Sequence, residues 1–280
     1  MANLKRKIVV DSSADPVAWA AESVGVATLK IITSEKEFVD DKALNVQEMV
    51  TFLEQYKDKS STACPGMDDW ESAFENADEV FCVTITSGLS GSFNAARLAA
   101  QNYEAHHPGR KVLVVDSLSA GPELRLITEK LQELTLTDKS FEEIGQEIAV
   151  YQKHTGLIFM LESMRNLANN GRVSPLVAKL AGVLGIRLVG KASDRGTLEP
   201  IEKTRGAQKA LDSLMMRLKE LGFSGGKVCI GHSFNPQTAK LMKQKILSVY
   251  PQSQIEVYAL GGLCSFYAEK GGLLIGFEKI

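Results

Sequence analysis

Paired cysteines are the first thing the chain lacks. Its four thiols, Cys64, Cys82, Cys229 and Cys264, are widely separated. No C-x-x-C spacing occurs, so a zinc site or a dithiol redox centre has no sequence basis. The expected state of these cysteines is reduced and buried. An excess of charge of one sign is also missing, since 32 Lys and Arg stand against 34 Asp and Glu. A net charge of −2 gives no general attraction to nucleic acid or to an anionic membrane. No apolar run approaches the roughly 18 residues of a membrane span. Residues 8–10, which follow Lys5-Arg6-Lys7, fall short of the roughly 7–15 apolar residues of a secretory signal. The expected location is the cytoplasm, with no nucleic-acid partner and no transmembrane segment.

Signatures of common chemistry are absent as well. No Gly-Lys-Ser/Thr ending marks a phosphate-binding loop, and no G-x-G-x-x-G opens a helix after a strand. The histidines, His106, His107, His154 and His232, have no H-E-x-x-H spacing. Gly231-His232-Ser233-Phe234-Asn235 lacks the last glycine of a nucleophile elbow, and no histidine follows Ser233. Ser224-Gly225-Gly226-Lys227 matches S-x-x-K but sits in a glycine-rich loop before a strand. On this reading the chain has no catalytic residue, no metal site and no cofactor.

What is present is an ordinary globular balance, 44% apolar and 24% charged over 280 residues. That length suits about two domains. Apolar runs at 8–10, 26–32, 79–84 and 111–116 read as strands. Helical stretches at 45–57, 92–103, 123–134 and 141–154 stand among them. Asn45 and Ser140 are placed to cap helices, and Asp15-Pro16 and Ser174-Pro175 are placed to open others. Strands alternating with helices indicate βαβ units and a parallel sheet. Further strands are expected at 157–161, 227–230, 254–259 and 273–277, and helices at 207–221 and 236–250, while residues 186–189 are a short apolar run. The expected division is residues 1–155, an α/β domain, and residues 156–280, a second α/β domain.

Ligands of such sheets collect beyond the C-terminal ends of the strands. Asp11, the stretch from Thr84 to Ser92, and Asp116-Ser117 all stand there. The sequence Thr84-Ile85-Thr86-Ser87-Gly88-Leu89-Ser90-Gly91-Ser92 is the densest hydroxyl cluster in the chain. Glycines and a helix N-terminus would let it cradle a phosphate or carboxylate. A plain polar turn with a serine cap is the competing reading. Ser60-Ser61-Thr62 forms a second hydroxyl group ahead of Cys64-Pro65-Gly66.

Together these segments resemble the DegV family of bacterial fatty acid-binding proteins, along nearly the whole chain. Val9-Val10-Asp11-Ser12-Ser13-Ala14-Asp15 is similar to the family's opening D-S-[ST]-[AS]-D. Residues 60–66 sit where the family has T-S-Q-P-S-P-G. The most specific match is Thr86-Ser87-Gly88-Leu89-Ser90-Gly91-Ser92 against S-S-G-L-S-G-T. Asn166-Leu167 through Gly171-Arg172-Val173-Ser174, Lys203-Thr204-Arg205, and Gly271, Gly276 and Phe277 complete the series.

The resemblance implies a two-domain α/β fold, with a parallel or mixed sheet flanked by helices in the first domain. It implies one long-chain fatty acid in a tunnel between the domains. The carboxylate would be held by Ser60, Ser61 and Ser87. It also implies a fatty acid kinase as partner, with Arg172, Arg205 and Tyr267 near the ligand or facing that partner. Thr62, Ala63 and Cys64 depart from the family pattern, and Tyr267 stands where the family has a late histidine. Serine-rich loops and a helix N-terminus could hold the carboxylate without a nearby cation. The alternative is an enzyme acting on a phosphorylated or acyl substrate at the Thr84–Ser92 loop, with Asp11 or Asp116 as acid or base.

Overall fold

The central strands of the first sheet bury apolar residues on both faces, Val10 on one side and Val9 on the other. In the computed structural model, which describes residues 4–16, 24–178 and 185–279, β1 (Arg6–Asp11) pairs in parallel with β2 (Gly25–Ala27). On its other side it pairs in parallel with a later strand, Glu79–Thr84, whose last five residues are all buried. Between these strands lie β3 (Lys30–Ile32), β4 (Glu37–Val39), α1 (Val46–Gln55), β5 (Ser61–Ala63) and α2 (Met67–Phe74). Glu79–Thr84 is therefore β6. It is followed by α3 (Ser92–His106) and β7 (Lys111–Asp116). The resulting sheet is parallel throughout, in the order β2-β1-β6-β7. Continuous apolar runs suit a sheet covered on both faces.

The expected strand at 26–32 is two strands. β2 belongs to the parallel sheet, whereas β3 turns away and pairs antiparallel with both β4 and β5. Ala27 and Leu29 bury their side chains on either side of the break. An unbroken apolar run cannot reveal that its halves serve different sheets. Asn45 and Ser140 cap as expected, accepting from the backbone N–H groups of Glu48 and Glu143. The helix expected after Asp15-Pro16 lies outside the described residues beyond Pro16.

α4 (Pro122–Thr135) and α5 (Phe141–Tyr151) lead into β8 (Thr155–Leu161). After β8 come α6 (Arg165–Asn169), α7 (Pro175–Ala178), β9 (Ile186–Ala192) and β10 (Leu198–Arg205). The rest of the helix expected to start at Pro175 also lies outside the described residues. α8 (Ala207–Glu220), β11 (Val228–His232), α9 (Pro236–Val249), β12 (Ile255–Ala259), α10 (Gly262–Ala268) and β13 (Leu273–Glu278) end the chain. The second sheet is mixed, in the order β10-β9-β8-β13-β11-β12. Only its β11–β12 pairing is parallel.

α4 lies between the two large sheets, touching β1 and β6 on one side and β8, β11 and β13 on the other. Its first turns are therefore buried all round, charged residues included. Glu123 is hydrogen-bonded by Thr155 Oγ1 at 2.7 Å, and Arg125 pairs with Glu129 and Glu256. Buried charges persist when they are paired in this way. Gly276 permits the contact, since a Cβ there would stand 2.5 Å from backbone atoms of Pro122 and Glu123. The chain passes from the parallel to the mixed sheet at β8, which starts at Thr155. A domain division at residue 155 is our proposal from the sequence.

Candidate functional site

A narrow cavity opens where the two large sheets, the small β4-β3-β5 sheet and α10 meet. It encloses about 80 Å³. Leu29, Ile85, Ala120, Leu157, Leu161, Leu198, Leu263 and Leu274 are among its walls. Thr62, Ser90, Arg172 and Tyr267 bring it polar groups. An apolar slot with a few polar groups is the ordinary form of a small-molecule site.

Each polar group is delivered by a particular element. Thr62 is the middle residue of β5, paired opposite Ile31. Successive strand residues point to opposite faces. Thr62 therefore shares a face with Ser60, and Ser61 points the other way. Ser60 is buried and Ser61 is exposed. Tyr267 lies on α10, and its hydroxyl stands 2.7 Å from Thr62 Oγ1. Burial pushes the Tyr267 phenol above its ordinary value, while Thr62 and the Arg172 guanidinium pull it down. The phenol is thus protonated at neutral pH and able to donate. Arg172 follows α6, with its guanidinium donating to Asn170 O at 3.0 Å. Asn170 in turn donates to Ser60 O at 3.2 Å, joining the α6 turn to the β5 loop.

Ser90 belongs to the hydroxyl-rich loop between β6 and α3. The loop closes as a tight turn, with Leu89 and Ser90 both donating backbone N–H groups to Thr86 O at 3.2 Å. That turn sets Ser90 and Leu89 on the cavity wall. Ser87 is exposed on the outside, with its N–H on Asp116 Oδ1 at 3.0 Å. Gly88 allows the backbone of the loop to lie against the segment 193–197, since a Cβ there would stand 2.8 Å from Arg195 O.

The carboxylates at the strand ends are committed to holding this loop. Asp11 is fully buried and accepts from Ile85 N at 2.8 Å and Ser92 Oγ at 2.6 Å, as well as from Ser13 N and Oγ. Burial raises its pKa. Asp116 accepts from the N–H groups of Ser87 and Leu118. Neither carboxylate lines the cavity.

Comparison with known proteins bears on this arrangement. A family model described as "Uncharacterised protein, DegV family" matches residues 5–279. The chain belongs to the DegV family. It is 41% identical over 276 residues to a DegV domain-containing protein of Streptococcus pneumoniae, covering 97% of this chain and 98% of the relative. Its fold is similar to that of a Eubacterium eligens DegV family protein loaded with heptadecanoic acid. That match has a TM-score of 0.95, 43% identity, and coverage of 98% of this chain and 100% of the other. It is also similar to the Streptococcus pneumoniae Fatty Acid Kinase (Fak) B3 protein loaded with linoleic acid. There the TM-score is 0.96 at 40% identity, over 99% of this chain and 100% of the other.

Of the residues expected from the sequence, this DegV chain places Arg172 and Tyr267 on the cavity, and Ser60 is buried just before β5 without lining it. Ser61 and Ser87 are exposed. Arg205 is exposed on β10, opposite Ile186. Thr62 and Ser90 were not nominated, yet both line the cavity. Alternation along β5 was the available signal for Thr62. No periodicity exists in a turn to single out Ser90. A cation, Arg172, also lines the cavity. No described helix is long and apolar enough to cross a membrane.

Proposed function

We propose that this protein binds one long-chain fatty acid, with the carboxylate among Thr62, Ser90, Arg172 and Tyr267 and the leucine-lined cavity widening around the acyl chain as it enters. The carrying observation is the pairing of the Tyr267 hydroxyl with Thr62 beside a guanidinium, at an otherwise apolar cavity. Burying methylenes supplies about 0.8 kcal/mol each, which accounts for most of the affinity. A carboxylate leaving water must be hydrogen-bonded or paired. Hydroxyl donors and Arg172 meet that requirement.

The protein acts as a carrier that presents the acyl chain to a fatty acid kinase. Support comes from the solved relatives whose names record a bound fatty acid and a fatty acid kinase B protein. Ser60, Ser61 and Ser87 then shape the two loops around the head group, and Arg205 is available to a docked partner. No observation favours turnover at the Thr84–Ser92 loop, because Asp11 and Asp116 are engaged in holding it.

Native mass spectrometry of the purified protein, followed by denaturing extraction, tests the reading. The expected result is one long-chain fatty acid per chain. Protein that carries none, and takes up none after incubation with free fatty acids, would overturn it.

A further inference from the structure

Both ends of α10 are held by the small sheet, and this has a consequence for the head-group site. α10 turns Leu263, Cys264, Tyr267 and Ala268 toward the cavity. Its opposite side buries Phe266 against Ile31, Met49 and Val50. The first N–H groups of a helix have no partner within it. Here they are taken by two carboxylates from far away in the chain. Asp40 accepts from Gly262 N at 2.8 Å and Leu263 N at 3.0 Å. Asp15 accepts from Gly261 N at 2.8 Å.

Asp40 directly follows β4, and its own N–H donates to Leu29 O at 2.9 Å. It is therefore fixed to the sheet that carries Thr62 on β5. The carboxylates reach the backbone only because residues 261 and 262 are glycines. A Cβ on Gly261 would stand 2.8 Å from Asp15 Oδ1, and one on Gly262 would collide with Leu44 and stand 2.6 Å from Asp40 Oδ1. Neither glycine has positive φ, so space, and not backbone conformation, is what they supply.

We propose that Asp40 is a positioning residue for fatty-acid carboxylate recognition: by fixing the first turn of α10 to the small sheet, it sets where that helix presents the Tyr267 hydroxyl relative to Thr62. The proposal rests on the head-group reading above. Asp40 does not line the acyl cavity, so it acts through α10 and not through contact with the ligand.

The test measures dissociation constants for a long-chain fatty acid and for the primary alcohol of the same chain, in wild type, Asp40→Ala, Asp40→Asn and Gly262→Ala. Asp40→Ala should weaken the acid about tenfold, the size expected for hydrogen bonds to a charged group, and the alcohol less than about twofold. Asp40→Asn, which keeps one acceptor, should restore part of the loss. Adding Tyr267→Phe to Asp40→Ala should cost little more, because coupled residues are not additive. Should Asp40→Ala fail to fold, Asp40→Asn and Gly262→Ala carry the same comparison. Equal losses for acid and alcohol, or full additivity with Tyr267→Phe, would overturn the proposal while leaving fatty-acid binding intact. Wild-type protein that binds neither ligand would overturn the fatty-acid reading itself, and this proposal with it.

Discussion

Tyr267 and Thr62 stand 205 positions apart in the chain, yet their side-chain oxygens meet at 2.7 Å. The contact joins the last helix to an edge strand of the small sheet, beside a cavity with few other polar groups. In the proposed function, both hydroxyls turn toward the bound carboxylate. Tyr267→Phe keeps the ring and its packing against Phe266 but removes the donor. It should weaken fatty-acid binding by about 1.5 kcal/mol, roughly tenfold, and shift the melting temperature little. Calorimetric titration of wild type and variant with one fatty acid checks this, and an unchanged affinity would remove Tyr267 from the head-group site.

Arg172 contributes charge where the hydroxyls contribute geometry. Arg172→Gln retains hydrogen-bonding capacity without the cation. It should therefore erode the preference for a fatty acid over its methyl ester, more than it changes affinity for the ester. A competition assay with the two ligands measures the ratio. A ratio identical to wild type would mean that the guanidinium faces elsewhere when the ligand is bound.

Buried carboxyls give this fold a particular pH dependence. Burial raises Asp40 from its ordinary 3.8 to about 6, and it raises Asp11, Asp15 and Glu123 as well. A raised carboxyl favours the neutral form in the folded state. Its contribution to stability is complete below the unfolded value and is lost as pH rises through the folded one. For Asp40 the loss falls between pH 4 and 6, with a tail above. From pH 5 to 7.5 the wild type should lose on the order of 1 kcal/mol through this group. Asp40→Asn cannot ionise and should lack that part of the slope. Urea unfolding of both proteins across this range reads the difference, and parallel pH profiles would show that Asp40 does not titrate there.

Much of the frame was legible because local rules and tertiary packing agree. β6 and β7 start and end where their apolar runs do, at Glu79–Thr84 and Lys111–Asp116. Asn45 and Ser140 cap as their positions foretell. What stayed hidden depends on partners distant in sequence. β4 and β5 are three-residue strands, too short to show a periodicity of their own, made into strands by pairing with β3. α10 begins with a glycine pair, a poor helix start on propensity alone, and is held by Asp15 and Asp40. The proposed head-group site lies where these hidden elements meet the β6–α3 loop. That is why the hydroxyl-rich segments are visible in the sequence, whereas Thr62 separates from Ser61 only once β5 is known to be a strand, and nothing separates Ser90 from Ser87.

Gly276 tests the packing of α4 between the sheets. Its backbone needs no special φ, so alanine is excluded by crowding alone. A Cβ would meet the Pro122 backbone at 2.5 Å, and neither element can move without disturbing a sheet. Gly276→Ala should destabilise by about 1–3 kcal/mol, the usual cost of overpacking. Denaturant unfolding that shows no loss would mean that α4 shifts freely on the mixed sheet.

Ala120 tests the path of the acyl chain. Half of the lining residues are leucines, and Ala120 and Ala268 are the small apolar members of the wall. Ala268 is fully packed, whereas Ala120 keeps part of its surface open. A larger side chain at 120 would therefore enter the lumen before it strains the surrounding core. Ala120→Leu adds three carbons, a volume the ligand would otherwise occupy. Stability should change by less than about 1 kcal/mol, because the added atoms fill a slot and do not overpack a closed core. Affinity should fall, and most for ligands whose chains must pass that point. Each displaced methylene forgoes about 0.8 kcal/mol, so losing two of them costs more than tenfold. A series of saturated acids of increasing length should give a flattened dependence of affinity on chain length in the variant. If wild type and Ala120→Leu follow the same dependence, the acyl chain does not run past Ala120, and its path must lie elsewhere in the protein.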